Sequence, residues 1–301
     1  MKHNKIKLLL VGDYSTPVYT GIYGSYKRAF ESLNVNTVDY YFNVNLKFVR
    51  FAKFAYITLK LLVQHEQKRF IHFVTQNSIT HILVFKGSYL LPETIEKIKN
   101  KGITIANYNP DNPFNKVKSS SNAIIKNAIN YYDYYFIWSK YLVDLINTNF
   151  QTKAFYLPFA VDDTLIKLNI EFNSCNYKYP VSFIGNADKE RTKQINTLIS
   201  KYPQLNAQLF LFGDGWNKNK TLNTNYQLHG ADYFQTIYQS RINLNILRKQ
   251  NKNAHNMRTF EIPACGGFML HEYSNEAAEL FEPDKEAIYF SNNTECIDKI
   301  Q

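Results

Sequence analysis

Apolar residues fall along this chain in short unbroken runs. Between the runs lie stretches whose apolar positions repeat at helical spacing. Lys5–Val11 predicts a buried strand, Ser25–Leu33 a helix, and Thr37–Phe42 a strand. Lys47–Val74 carries a long, partly amphipathic helical pattern. Further strands are expected at Ile82–Lys86, Ile103–Asn107, Tyr135–Trp138 and Ala154–Leu157. Helices fit Ala123–Asn130, Lys140–Asn147 and Pro92–Asn100, the last opened by Pro and stopped by Lys101-Gly102. Pro158–Pro180 has weak periodicity and many turn formers, so it reads as a linker. The pattern then restarts, with strands at Val181–Ile184, Gln208–Phe212, Ile242–Ile246, Phe268–Leu270 and Ala287–Phe290. Helices fit Arg191–Ser200 and Tyr233–Ser240, and Thr294 is expected to cap a last one.

Short apolar strands without polar alternation, separated by helices, are the mark of parallel sheets covered on both faces. The expectation is therefore an α/β chain with two Rossmann-like, doubly wound parallel-sheet domains, 1–160 and 161–301, facing a cleft. In such sheets ligands bind at the carboxyl ends of the strands. Gly185-Asn186 and Gly213-Asp214-Gly215 both fall there.

Composition narrows the class. The chain has 301 residues and 45% hydrophobic content, enough for two globular domains. Cys175, Cys265 and Cys296 are far apart, without metal or redox spacing, which suits a reducing cytoplasm. The apolar run after Met1 is too short for a signal peptide, and no run is long enough to span a bilayer. Residues 1–160 carry 20 Lys+Arg and 9 Asp+Glu, a balance of +11; residues 161–301 carry 15 and 16, a balance of −1. The two halves are thus expected to face different partners.

The stretch Asn253-Ala-His-Asn-Met-Arg-Thr-Phe-Glu261, running on to Gly267 and Leu270, carries the densest candidate chemistry. A hydrogen-bonding loop with His255, Asn256 and Arg258 set against an apolar helix looks built to hold a polar ligand, because buried polar groups need partners.

Several motifs resemble the CgeB-type (spore-maturation protein) glycosyltransferases, relatives of glycosyltransferase family 4. They are Phe183-Ile-Gly-Asn186 followed by Arg191, Leu211-Phe-Gly-Asp-Gly215, Ile242-Asn-Leu-Asn-Ile-Leu-Arg248, Arg258-Thr-Phe-Glu-Ile-Pro-Ala-Cys-Gly-Gly267 and Leu280-Phe-Glu-Pro-Asp-Lys-Glu286. Ile82-Leu-Val-Phe-Lys-Gly87, Asn107-Tyr-Asn-Pro-Asp-Asn-Pro113 and Leu157-Pro-Phe-Ala-Val-Asp162 agree more loosely. The resemblance implies the GT-B fold, a nucleotide-diphosphate sugar as donor, retention of anomeric configuration, and no cofactor or metal. It also implies two glutamates eight positions apart, one on the transferred sugar and one on the ribose. Glu261 matches the second, while Asn253 stands at the first and offers hydrogen bonds without charge assistance.

Weighed singly, the residues keep two readings. Arg191 and Lys193, at a helix start, suit a leaving diphosphate that cationic side chains and helix N–H groups would neutralise; the other reading is a solvated helix face. Glu261 suits ribose hydroxyls or a structural pair with Arg258. Cys265 reads as a small core residue. Gly213 ends a strand and either admits a nucleobase or makes a tight turn. Gly24 and Ser25 end the first loop and either place amides near a ligand or form a surface turn. Asp111 follows a first-half strand and either serves as a catalytic base on the acceptor hydroxyl or makes an Asx-turn.

Lys47, Arg50, Lys53, Lys60, Lys68 and Arg69 lie among Phe48, Phe51, Phe54, Tyr56, Leu59 and Leu62. That segment, 47–74, is either a core helix with snorkelling lysines or a surface for an anionic membrane. The expected partners are thus a nucleotide sugar, a glycan, lipid-linked or protein acceptor, and an inner membrane face. Without Asp-x-Asp, Gly-x-Gly-x-x-Gly, a phosphate loop or a nucleic-acid motif, metal-dependent GT-A transfer and nucleic-acid binding are not expected. The second expectation is a catalytically inactive GT-B-like binding module.

Overall fold

The computed structural model describes residues 6–13, 21–44, 55–115, 121–170, 177–216 and 222–301. The chain divides into two compact units, Met1–Pro158 and Phe159–Gln301, two residues before the expected boundary.

The first unit alternates β1 (Lys7–Gly12), α1 (Ile22–Ser32), β2 (Asn36–Tyr41), α2 (Tyr56–Gln76), β3 (His81–Phe85), α3 (Pro92–Lys99), β4 (Thr104–Asn109), α4 (Ala123–Ala128), β5 (Tyr134–Ile137), α5 (Lys140–Asn149) and β6 (Lys153–Tyr156). Its six strands pair in parallel in the order β2-β1-β3-β4-β5-β6. Leu9, Leu10, Val11, Ile82 and Val84 are almost wholly buried, and each such side chain stabilises the sheet by about 1.5–3 kcal/mol over its exposed state. α3 follows the helix rules closely: Pro92 opens it, Glu93 sits in the first turn, and Lys97 and Lys99 sit in the last.

The second unit contains α6 (Asp163–Asn169), β7 (Tyr179–Ile184), α7 (Lys189–Lys201), α8 (Leu205–Gln208), β8 (Leu209–Phe212), β9 (Asn223–Asn225), α9 (Gly230–Tyr238), β10 (Ser240–Asn245), α10 (Arg258–Ala264), β11 (Met269–Glu272), α11 (Asn275–Leu280), β12 (Ile288–Phe290) and α12 (Asn293–Ile300). The strand order is β12-β11-β10-β7-β8-β9, again parallel throughout. The order reverses between β1 and β3 in one sheet and between β7 and β10 in the other. Those reversals open a crevice at the carboxyl ends, where doubly wound sheets bind ligands.

Four expectations need correction. The linker contains a helix, α6, capped by Asp162, which accepts the Thr164 N–H. Its Ile166, with Ile170 just beyond, is buried in the second unit's core, so this stretch belongs to that unit; residues 171–176 lie outside the described residues. Gly24 and Ser25 are in α1 and not in a loop: Ser25 N–H already bonds Gly21 O, and Gly24 is buried. β9 and α11 were not expected, because β9 has no apolar residue and α11 only six residues. Asn292, not Thr294, caps α12; its Oδ1 accepts the Thr294 and Glu295 N–H groups, both at 3.0 Å.

Of the basic segment 47–74, Lys47, Phe48, Arg50, Phe51, Lys53 and Phe54 lie outside the described residues. In α2, Leu59, Val63, Phe70 and Val74 face the core. Lys60 pairs with Glu93, and Arg69 with Glu66 at 2.6 Å. Ile57 and Leu61 are 75% and 67% exposed. Among the described residues no helix is long and apolar enough to cross a membrane.

Candidate functional site

The crevice between β7 and β10 is braced by one buried arginine. Arg191, in the first turn of α7, is 5% exposed. Its Nε and Nη2 donate to Ile246 O at 3.2 and 2.7 Å, just past β10. Its Nη1 donates to Asn186 O at 3.4 Å, just past β7, and the guanidinium stacks on Phe183. Three of its five N–H groups are thereby used, leaving two. Burial lowers the Arg191 pKa to about 9, helped by the positive charges of Arg248 and Arg258 and opposed by Asp188 and Glu272. Three arginines thus converge on one strand-end crevice. Arg248, just beyond β10, is 40% exposed and only 3.8 Å from Asp188. The buried Nε of Arg258 finds no partner among the described residues.

Arg248 was not singled out from the sequence. Its signal there is its place at the end of the Ile242–Arg248 motif, shortly after a strand. The expected role for helix N–H groups also needs correction. Asp188 Oδ1 already accepts the Glu190 and Arg191 N–H groups at 3.0 and 2.9 Å, so the start of α7 is capped by the chain's own carboxylate. Any anion there must be held by side chains. Lys193 follows Arg191 by two residues, about 200° around the helix. It is exposed, on a side turned away from that crevice, with Lys189 and Lys201 nearby on α7.

Glycines let two loops meet beside Arg191. Gly213 has φ of +138°, and a Cβ there would lie 2.6 Å from Gly185 O. Around this contact Gly185 N–H bonds Phe212 O, Ala187 N–H bonds Asp214 O, and Asp214 N–H bonds Asn186 Oδ1. Trp216 Nε1 donates to Gly185 O at 2.7 Å.

The 253–258 loop is held from inside. His255 is fully buried; its Nε2 accepts the Phe159 N–H at 3.3 Å and its Nδ1 lies 3.4 Å from Glu276 Oε2. Asn256 exchanges amide bonds with Asn245, and Asn256 and Thr259 bond each other's backbone N–H in a reciprocal cap on α10. His255 and Asn256 therefore shape the loop through its own framework. Asn253 is exposed, with φ of +68°. Glu261 is 9% exposed and accepts the Tyr233 hydroxyl; the Arg258 guanidinium lies 5.8 Å from the Tyr233 ring centre. Cys265 is fully buried, and burial pushes its thiol up to about 12. Next to this network, His271 Nε2 meets Thr259 Oγ1 at 2.9 Å, and burial drops its pKa to about 4.

In the first unit the β1/β3 crevice holds a different set. Asp13, just past β1, accepts Ser88 N–H at Oδ1 (2.9 Å) and the Ser88 hydroxyl at Oδ2. Burial raises its pKa to about 6, against the pull of Ser88 and Lys86. Lys86 and Gly87 turn the chain off β3 with φ of +64° and +82°. Lys86 Nζ bonds Asp111 Oδ2 at 2.8 Å, and Asp111 N–H bonds Asn109 Oδ1, an Asx-turn. Asp111 is thus engaged in an ion pair and Asp13 in its bonds to Ser88, and both are half-buried. Asp13 stood in the sequence between two glycine-bearing stretches with nothing to mark its partner. Among the described residues no group of three or more His, Cys, Asp or Glu could hold a metal ion.

Residues 191–301 match a family model described as "Glycosyl transferase-like". The match covers Arg191, Arg248, Arg258 and Glu261. No curated protein matches the chain. Among solved structures, sucrose-phosphate synthase from Thermosynechococcus elongatus is similar over 98% of this chain and 89% of its own, at 9% identity and a TM-score of 0.66. A UDP-forming α,α-trehalose-phosphate synthase from Burkholderia xenovorans covers the same shares at 10% identity and 0.62. A Methanocaldococcus jannaschii UDP-GlcNAc 2-epimerase, solved with UDP-GlcNAc and UDP, covers 98% and 92% at 10% and 0.54. At such identities the likeness establishes the fold, two parallel six-stranded sheets of the GT-B kind.

Proposed function

We propose that this protein is a glycosyltransferase that moves a sugar from a nucleoside-diphosphate sugar to a glycan, lipid-linked or protein acceptor. The observation that carries the reading is the convergence of Arg191, Arg248 and Arg258 on the β7/β10 crevice, within the glycosyl transferase-like residues. Like charges gathered in a poorly hydrated crevice oppose one another, and an anion relieves them. The diphosphate of the donor is such an anion.

In this reading the guanidinium groups neutralise charge as the sugar–oxygen bond breaks and the diphosphate takes the electron pair. Guanidinium charge serves without a metal. The acceptor oxygen bonds to the anomeric carbon, and its proton passes to the departing phosphate oxygen, so configuration is retained without a protein base. Glu261 accepts ribose hydroxyls in place of, or beside, the Tyr233 hydroxyl. Gly185, Asn186 and Gly213 shape the wall, and Asn253 meets the transferred sugar. His255 and Asn256 are positioning residues. The first unit takes the acceptor. The exposed Ile57 and Leu61 on α2 supply the surface for peripheral association with an inner, cytoplasmic membrane face, testable by flotation with anionic vesicles.

The test is the full chain against a panel of UDP-, GDP- and ADP-sugars, reading nucleotide binding and nucleoside-diphosphate release. UDP is the first probe because it is named for two of the structural neighbours. Absence of both binding and release across the panel overturns the reading. Asn253, an uncharged group where a carboxylate is expected, favours a second reading: a binding module without transfer. Tight nucleotide binding with no release in any acceptor mixture would support that alternative.

A further inference from the structure

Arg248 is the most loosely held of the three arginines at the β7/β10 crevice. Among the described residues its guanidinium makes no hydrogen bond. Its Nε lies 3.8 Å from Asp188 Oδ2, too far for one. Arg191 Nε stands at the same 3.8 Å from that oxygen. The direction in which the Arg248 side chain leaves the backbone is therefore set by the chain just before it.

That chain is gripped at one peptide unit, Ile246–Leu247. Arg191 Nε and Nη2 donate to its carbonyl at 3.2 and 2.7 Å. Its N–H donates to Glu272 Oε2 at 2.9 Å. A peptide unit is planar, so holding its oxygen and its nitrogen from two sides fixes the plane. Just beyond it Arg248 is extended, with φ of −71° and ψ of 156°. The Arg248 carbonyl accepts the Asn251 N–H at 2.7 Å, which closes a tight turn. Glu272 reaches this peptide because it ends β11, the parallel neighbour of β10.

We propose that Glu272 is a positioning residue of the anion-binding crevice: with Arg191 it clamps the Ile246–Leu247 peptide and so aims Arg248 at the bound anion. This role deepens the donor-site reading above and rests on it for the identity of the anion.

Charge and geometry pull in opposite directions here. A carboxylate beside three arginines competes with any anion for them. Burial raises the Glu272 pKa, opposed by the Leu247 N–H, Lys252 and Arg191 and assisted by Glu190. Glu272 thus weakens anion binding by its charge and strengthens it by its bond to the loop. If it were only a counter-charge, every substitution that removes the charge would tighten anion binding. If it is a clamp, the outcome depends on whether an acceptor for the Leu247 N–H remains.

The full chain is titrated calorimetrically with inorganic pyrophosphate and with UDP at pH 7.5, and urea unfolding checks that each variant folds. Glu272→Ala removes both charge and acceptor. Glu272→Asp keeps the charge and draws the acceptor back by one methylene. Glu272→Gln keeps an acceptor and loses the charge. Glu272→Ala and Glu272→Asp should weaken pyrophosphate binding about tenfold, and Glu272→Gln should bind at least as tightly as wild type. In an Arg248→Met background the losses should shrink to within about twofold, because no guanidinium is left to aim. If Glu272→Ala fails to fold, Glu272→Asp and Glu272→Gln carry the test. Unchanged or tighter binding by Glu272→Ala and Glu272→Asp makes Glu272 a counter-charge and overturns the proposal. Equal losses with and without Arg248 make it a brace of the fold and overturn it as well, as does a wild type that binds no pyrophosphate. UDP binding without the coupling to Arg248 leaves the donor reading standing alone. Pyrophosphate binding with that coupling, and no binding of UDP, removes the donor reading and leaves the clamp.

Discussion

Replacing Arg191 with Met separates a brace from an anion-binding group. Burial and two neighbouring cations lower the Arg191 pKa to about 9, a fall that corresponds to about 5 kcal/mol against the charged form at neutral pH. The two bonds to Ile246 O offset this by about 3–6 kcal/mol, since hydrogen bonds to a charged group contribute roughly 1.5–3 kcal/mol each. The two contributions nearly cancel. Arg191→Met should therefore change the unfolding free energy by no more than about 2 kcal/mol. UDP loses at least one charge-assisted contact and should bind about 30- to 100-fold more weakly. Arg191→Lys keeps a charge but lacks the planar fork, so it should restore only part of the affinity. Urea unfolding and calorimetric titration with UDP at pH 7.5 read both quantities. UDP affinity within threefold of wild type refutes the anion-binding role. A stability loss above about 4 kcal/mol with affinity intact would make Arg191 a brace only.

Gly213→Ala forces a Cβ to 2.6 Å from Gly185 O at a φ of +138°, so it should cost about 2 kcal/mol or more in urea unfolding and weaken UDP binding as the two loops part. His271 is held neutral by burial with a pKa of about 4, so the unfolded chain binds its proton first as pH falls. Native stability should decline by about 3 kcal/mol between pH 6.5 and 4, and His271→Asn should flatten that slope in pH-dependent unfolding. Glu261→Gln keeps a partner for the Tyr233 hydroxyl but loses the charge. It should erase most of the preference for UDP over 2′,3′-dideoxy-UDP in competition titrations, and an unchanged preference would remove Glu261 from the ribose.

The amino-acid sequence by itself determined the alternation of buried strand and helix. Runs such as Leu8–Val11 and Ile82–Phe85 have only one stable environment, a sheet covered on both faces, and that information is local. Pro92, Gly102 and the strand-end glycines mark element ends for equally local steric reasons. The 253–261 stretch was legible as chemistry because a polar loop against an apolar helix is conspicuous in one dimension. The role of each residue within it was not. His255 and Asn256 carry the same side chains whether they face a ligand or the interior, and only packing turns them inward against Phe159, Glu276 and Asn245. Asp13 and Ser88 meet from 75 positions apart, and Arg191 and Ile246 from 55, because strand order puts β1 beside β3 and β7 beside β10. Strand order, burial depth and the charge felt at a point are sums over distant residues, which is why the arginine cluster and the Asp13–Ser88 pair emerged only from the tertiary structure.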